Sequence, residues 1–177
     1  MTDLLLNNYQ QRRGSGKDKA LLVKFMQLTY QELFLEQQDF SHLAVTVERY
    51  FSQETPLWLV EFLGSEEQET PSISNEQGGL IRKVSAVPAI ACLWLGNAVD
   101  QVQGDRFSHI FLLYVNPNHR RRGIGSALMR HAENWAKSKG DRQIGLQVFE
   151  INTPAVNLYH KLGYQTQSLW MVKPLSK

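Results

Sequence analysis

Cysteine is nearly absent: Cys92 is the only one in 177 residues, which excludes a disulfide within the chain. It sits in the apolar run Ala89-Ile90-Ala91-Cys92-Leu93-Trp94-Leu95, where a small buried hydrophobe is expected rather than a reactive thiol. Neither sign of charge dominates, since 19 Lys plus Arg stand against 17 Asp plus Glu for a formal net charge of +2. No field of that size implies nucleic acid or membrane as a partner, and any preference must come from local patches. The start of the chain lacks the basic and apolar regions of a secretory signal, and no apolar run approaches membrane-spanning length. A cytoplasmic protein is the expectation, with no metal site and no internal repeat. The length is that of one domain, residues 1–177, large enough to bury a core without disulfides or structural metal.

What is present reads as alternating strands and helices. Leu4 to Tyr9 predicts a short strand and the polar, glycine-bearing Gln10 to Lys17 a loop. From Asp18, an expected N-cap, Leu21, Leu22, Phe25, Leu28, Leu33 and Phe34 return mainly at three- and four-residue spacing, and a shorter helix follows Ser41. Leu57 to Leu63 predicts a strand. The stretch 64–79, with Glu66, Glu67, Glu69 and Glu76 and almost no apolar residue, predicts a solvated loop. Pro88 to Leu95 and Phe107 to Val115 are near-continuous apolar runs, expected as central strands covered on both faces. A helix beginning near Gly123 and ended by Gly140, a strand from Ile144 to Glu150, a helix opened by Thr153-Pro154 and a strand from Tyr164 to Val172 complete an α/β pattern.

The informative stretch is Val115-Asn116-Pro117-Asn118-His119-Arg120-Arg121-Arg122-Gly123-Ile124-Gly125-Ser126: a strand end, a turn, and two glycines at a helix start. Several amide N–H groups at such a start have no intrahelical partner and share the positive end of the peptide dipoles, which favours an anion. Gly123 and Gly125 let a pyrophosphate approach the backbone, and arginines add charge-assisted hydrogen bonds. Competing phosphate motifs fail. A P-loop requires Gly-Lys-Ser/Thr where this chain has Gly125-Ser126-Ala127, and a dinucleotide fold requires a third glycine. A tight turn with a solvated basic run, or nucleic-acid binding through His119 to Arg122, are weaker readings of the same residues.

These residues resemble the GNAT-type N-acetyltransferase superfamily, whose signature is Arg/Gln-x-x-Gly-x-Gly/Ala after a strand ending in Val-x-Pro. Here Arg120-x-x-Gly123-x-Gly125 follows Val115-Asn116-Pro117. A second stretch, Asn152-Thr153-Pro154-Ala155-Val156-Asn157-Leu158-Tyr159-His160-Lys161-Leu162-Gly163-Tyr164, is similar to the family's Asn-x-x-Ala-x-x-Leu-Tyr-x-x-x-Gly-Phe. The resemblance implies an α/β fold with a mixed, partly splayed central sheet flanked by helices, and acetyl-CoA as co-substrate. It implies a pyrophosphate held by Arg120, Arg121, Arg122, Gly123, Ile124, Gly125 and Ser126, and a pantetheine arm along the backbone of Leu113, Tyr114 and Val115, with Asn152 and Asn157 as further contacts.

The implied activity is acetyl transfer from acetyl-CoA to an amine by direct attack in a ternary complex. Tyr159 matches the family tyrosine that protonates the departing thiolate, although Ala155, Leu158 and Leu162 also make it a packing position. Asn152 is equally an ordinary residue before a helix. Some relatives carry a glutamate base where this chain has Gln147, and an amide cannot accept that proton. Counting back six residues from Val115, as in the histone acetyltransferase branch, gives His109, with Glu150 as runner-up and strand alternation placing residues 109, 111, 113 and 115 on one face. The acceptor amine, on a small molecule or a protein, is not readable, nor is a homodimer excluded. The rivals are a non-catalytic acetyl-CoA sensor and an interaction module docking through Glu66 to Glu76.

Overall fold

The computed structural model describes residues 3–64 and 87–175. All of the polar loop except Gly64 therefore lies outside the described residues. The chain forms two compact units, Met1–Leu146 and Gln147–Lys177.

The first unit is built on six strands whose order in the sheet follows the chain: β1 (Asp3–Leu6), β2 (Tyr9–Arg13), β3 (Leu57–Phe62), β4 (Ala89–Val99), β5 (Arg106–Val115) and β6 (Ile144–Leu146). The first five pair antiparallel. β6 runs parallel to β5, reached through helix α3 (Ile124–Ser138). Helices α1 (Lys19–Leu33) and α2 (His42–Tyr50) cover one sheet face. There Leu22, Phe25, Leu43 and Val47 bury themselves against Leu57, Leu59, Cys92, Trp94, Leu112 and Tyr114. Trp58, which alternates with Leu57 and Leu59, turns the other way, toward His131 and Trp135 of α3. Removing one of the fully buried leucines, Leu22, Leu57 or Leu59, would cost about 2–5 kcal/mol.

The structure corrects several sequence expectations. Gln10 to Arg13 is strand rather than loop: β1 and β2 form a hairpin that turns at Asn8, which has φ 67°. In β2, Gln11 is buried against His131, and the half-buried Arg12 pairs with Asp18 and Glu61. Asp18 is the N-cap of α1 as expected, but its side chain makes no capping hydrogen bond to that helix. Its carboxylate closes a capping box with Ser15 around a preceding 3-10 turn and pairs with Arg12, and the Arg12 hydrogen bond is the main reason its pKa lies below the ordinary carboxylate value.

β4 is buried on both faces as expected, whereas β5 alternates and leaves Phe111 exposed. The register explains this. Trp94 pairs with Leu112 but Leu95 pairs with Ile110, so Phe111 is an extra residue, a β-bulge that shifts side-chain parity. The expectation that residues 109, 111, 113 and 115 share a face is therefore wrong. His109 and Phe111 lie on the α1/α2 face with Leu112 and Tyr114, and Leu113 and Val115 turn toward α3.

β6 ends at Leu146, not Glu150, and pairs only with Ser108, His109 and Ile110. In the second unit, α4 (Thr153–Lys161) forms as expected. Tyr164 to Val172 has no strand structure. Its strand-forming residues lack a ladder partner among the described residues, and Leu169, Trp170, Met171 and Val172 are 79–88% exposed.

Candidate functional site

The turn between β5 and α3 is shaped by local rules. Asn116 accepts the amide N–H of Asn118 at 3.0 Å and starts one 3-10 turn at Pro117–His119. Arg121 and Gly123 then take left-handed φ values of 62° and 85°. Glycine meets that requirement at no cost, while arginine is strained by about 1–3 kcal/mol. Gly123 is the N-cap of α3 and, having no side chain, leaves the helix uncapped. The first intrahelical bond runs from Ala127 N–H to Gly123 C=O at 2.9 Å. The amides of Ile124, Gly125 and Ser126 are therefore left for a ligand, at the positive end of a 15-residue helix. Alternating left- and right-handed residues make such amides converge into an anion-binding nest, which fits a pyrophosphate.

The three arginines divide. Arg120 donates from Nε to the Val115 carbonyl at 2.8 Å and forks onto Glu32 of α1 at 2.7 and 2.9 Å. Arg122 donates to the Tyr9 hydroxyl at 2.9 Å, and Tyr9 is 3.0 Å from Nδ1 of the buried His119. With its oxygen receiving the guanidinium proton, Tyr9 is free to donate its own to Nδ1. Arg120 and Arg122 thus tie the turn to α1 and β2. All three are exposed, and of the three Arg121 alone makes no hydrogen bond or ion pair with the described residues.

Tyr9→Phe is expected to remove both hydrogen bonds of the hydroxyl, to Arg122 and to His119 Nδ1, and to cost about 1 kcal/mol. Chemical denaturation measures it, and equal stability would show that the network is not closed.

Because β6 pairs only as far as Ile110, the β6-side backbone groups of residues 111–115 have no strand partner among the described residues. The Leu113–Val115 edge is thus unpaired by β6 and leads to the turn, with the Val115 carbonyl taken by Arg120 Nε. The Tyr114 ring is stacked on Phe25 at 4.8 Å in the core, so its contribution is backbone only.

His109 lies at the other end of this edge. It is half-buried, 5.7 Å from the Phe111 ring, and burial holds its pKa below the ordinary imidazole value. Cys92 is completely buried, and burial pushes its thiol far up.

The second unit carries the other expected residues. Gln147, Glu150 and Asn157 are exposed. Asn152 caps α4, its side chain accepting the Ala155 N–H at 3.3 Å. Tyr159 is buried, with Tyr164 at 5.9 Å, and desolvation pushes its phenol up to about 12.

Sequence reasoning missed Tyr9, Glu32 and the burial of His119. Nothing local marks them, because their partners are 113, 88 and 110 residues away.

An α/β unit whose central strand has a bulge, an open edge and a glycine turn feeding an uncapped helix has the form of an anion site. Residues 45–164 match the model of the Acetyltransferase (GNAT) family, and the chain belongs to that family. It is similar to streptothricin acetyltransferase of Streptomyces lavendulae, 42% identical over 50 residues, 28% of this chain and 26% of the relative. It also resembles thialysine N-epsilon-acetyltransferase of Mus musculus, 32% identical over 95 residues, 54% of this chain and 51% of the relative. The chain thus spans about half or less of the curated relatives it matches. A GCN5-related N-acetyltransferase from Ralstonia eutropha JMP134 shares the fold at TM-score 0.63 and 23% identity, over 94% of this chain and 98% of its own. So does a structure from Clostridium acetobutylicum described as a predicted acetyltransferase with acetyl-CoA, at TM-score 0.64 and 19% identity over 94% and 96%. Among the described residues no helix is long and apolar enough to cross a membrane, and no group of three His, Cys, Asp or Glu could hold a metal.

Proposed function

We propose that this chain is a single-domain N-acetyltransferase that moves the acetyl group of acetyl-CoA to a primary amine by direct attack in a ternary complex. The observation that carries the reading is the uncapped, glycine-started helix α3 at the end of the open edge of β5. Ile124, Gly125 and Ser126 amides, with Arg121, hold the pyrophosphate, and the backbone of Leu113, Tyr114 and Val115 lines the pantetheine arm; the family resemblance assigns Asn152 and Asn157 to the same cofactor. Acetyl-CoA supplies the activated thioester carbonyl. A β5 amide N–H stabilises the oxyanion, the electrostatic contribution that is usually largest in acyl transfer. His109 accepts the amine proton, with Glu150 the alternative, and Tyr159 donates its proton to the leaving thiolate. Cys92 is buried with its thiol pushed up, which supports direct transfer over a covalent acetyl-enzyme.

Two relatives are named for acetylating streptothricin and the epsilon nitrogen of thialysine, which supports an amine acceptor here. Thiol release from acetyl-CoA over a panel of polyamines, amino acids, aminoglycosides and peptide N-termini tests the reading. Silence across the panel with tight acetyl-CoA binding would favour a sensor. Tyr159→Phe is expected to lower kcat by about 10²-fold while acetyl-CoA affinity, measured by calorimetry, stays within about twofold. Equal turnover would make Tyr159 a packing residue.

A further inference from the structure

His109 occupies an unusual row of the sheet. Across the strands it pairs with Gly96 of β4 on one side and Gly145 of β6 on the other. Both neighbours lack a side chain, and both spaces are filled by aromatic rings from β5. A Cβ on Gly96 would collide with the ring of Phe111, and one on Gly145 would meet the ring of Phe107 at 2.8 Å. Phe107 and Phe111 therefore lie over the flanking strands, on either side of the imidazole. Glycine in a strand interior weakens the sheet, and a close approach of this kind is what offsets it.

Two further rings adjoin this row. Tyr50, the last residue of α2, sits 5.9 Å from the Phe111 ring, and Trp94 packs against Phe111 at 4.9 Å. Tyr50 is 49% exposed and Phe111 36%. The bulge at Phe111 puts one more ring on this face, because the extra residue adds to the side chains that strand alternation already places there. An exposed aromatic pair beside a half-buried imidazole is a surface for a ligand with an apolar body and a polar nitrogen.

We propose that the acceptor amine is carried on a flat, apolar body, an arylalkyl group, that packs against Phe107, Phe111 and Tyr50 with its nitrogen at His109. This rests on the transferase reading above and names the substrate class for it. Tyr50 and Phe111 act as specificity residues, touching the body of the acceptor and not the acetyl donor.

The test is steady-state thiol release at saturating acetyl-CoA with phenethylamine, tryptamine, putrescine and kanamycin, run on the wild type and on Tyr50→Ala. Tyr50 is half exposed at a helix end, so the variant folds. The expected result is a kcat/KM for the two arylalkylamines at least about tenfold above that for putrescine or kanamycin. In Tyr50→Ala, KM for the arylalkylamines should rise about tenfold, with acetyl-CoA affinity by calorimetry unchanged. Preference for putrescine or kanamycin, or an unaltered KM in the variant, overturns the assignment and leaves the transferase reading standing. Tight acetyl-CoA binding with no amine consumed removes both the substrate class and catalysis. Failure to bind acetyl-CoA brings down the cofactor site itself.

Discussion

Gly125→Glu should abolish acetyl-CoA binding while leaving the protein as stable as the wild type, or slightly more so. Gly125 is the second residue of α3 and its amide is one of three left without a helix partner. A carboxylate in the first helical turn is favourable by about 0.3–1 kcal/mol, because it complements the helix dipole. The same carboxylate stands at the site proposed for the pyrophosphate, as a like charge and a steric block. A loss of at least about 100-fold in affinity is expected, about 2.7 kcal/mol, which is the scale of one or two charge-assisted hydrogen bonds. Calorimetry reads the affinity and a thermal melt the stability. Opposite movement of the two separates a ligand site from a merely structural turn. Unchanged affinity in folded Gly125→Glu would remove acetyl-CoA from this turn. Arg121→Ala should cost only a few-fold, since an exposed guanidinium is screened by solvent.

The second large effect is expected at His109. His109→Gln should lower kcat/KM by about 10²-fold, the usual contribution of a positioned base, and should erase the acidic limb of its pH profile. Burial disfavours the imidazolium, so the folded pKa lies below that of a free imidazole. The sign follows: the base stays deprotonated through neutrality, and activity falls only as pH drops through the lowered value. The limb therefore lies on the acid side of the ordinary histidine range of about 6.5. Glu150→Gln, a change at an exposed position, should leave that limb in place. Full activity with the same limb in His109→Gln would eliminate the histidine as base and return the role to Glu150 or water.

Much of this was legible because it depends on neighbours in sequence. The turn needs glycine at Gly123 for φ 85°, and the residues that shape it, Val115 to Ser126, are contiguous. Helices α1, α2, α3 and α4 follow from apolar spacing and from stop signals such as Pro56 and Gly140. Strand runs such as Tyr164 to Val172 were less legible, since apolar composition says only that a segment could pair. Whether it does depends on a ladder partner supplied from elsewhere.

The sequence by itself determined the family, the glycine turn that starts α3 and the expectation of an α/β sheet, since each is written in short-range spacing and backbone demands. Only the tertiary structure shows how the arginines are engaged, because Glu32 and Tyr9, the partners of Arg120 and Arg122, are 88 and 113 residues away. Only it set the face of His109 as well. One extra residue in β5 against β4 inverts the alternation at Phe111, and register is a property of two paired strands that neither strand's sequence contains alone.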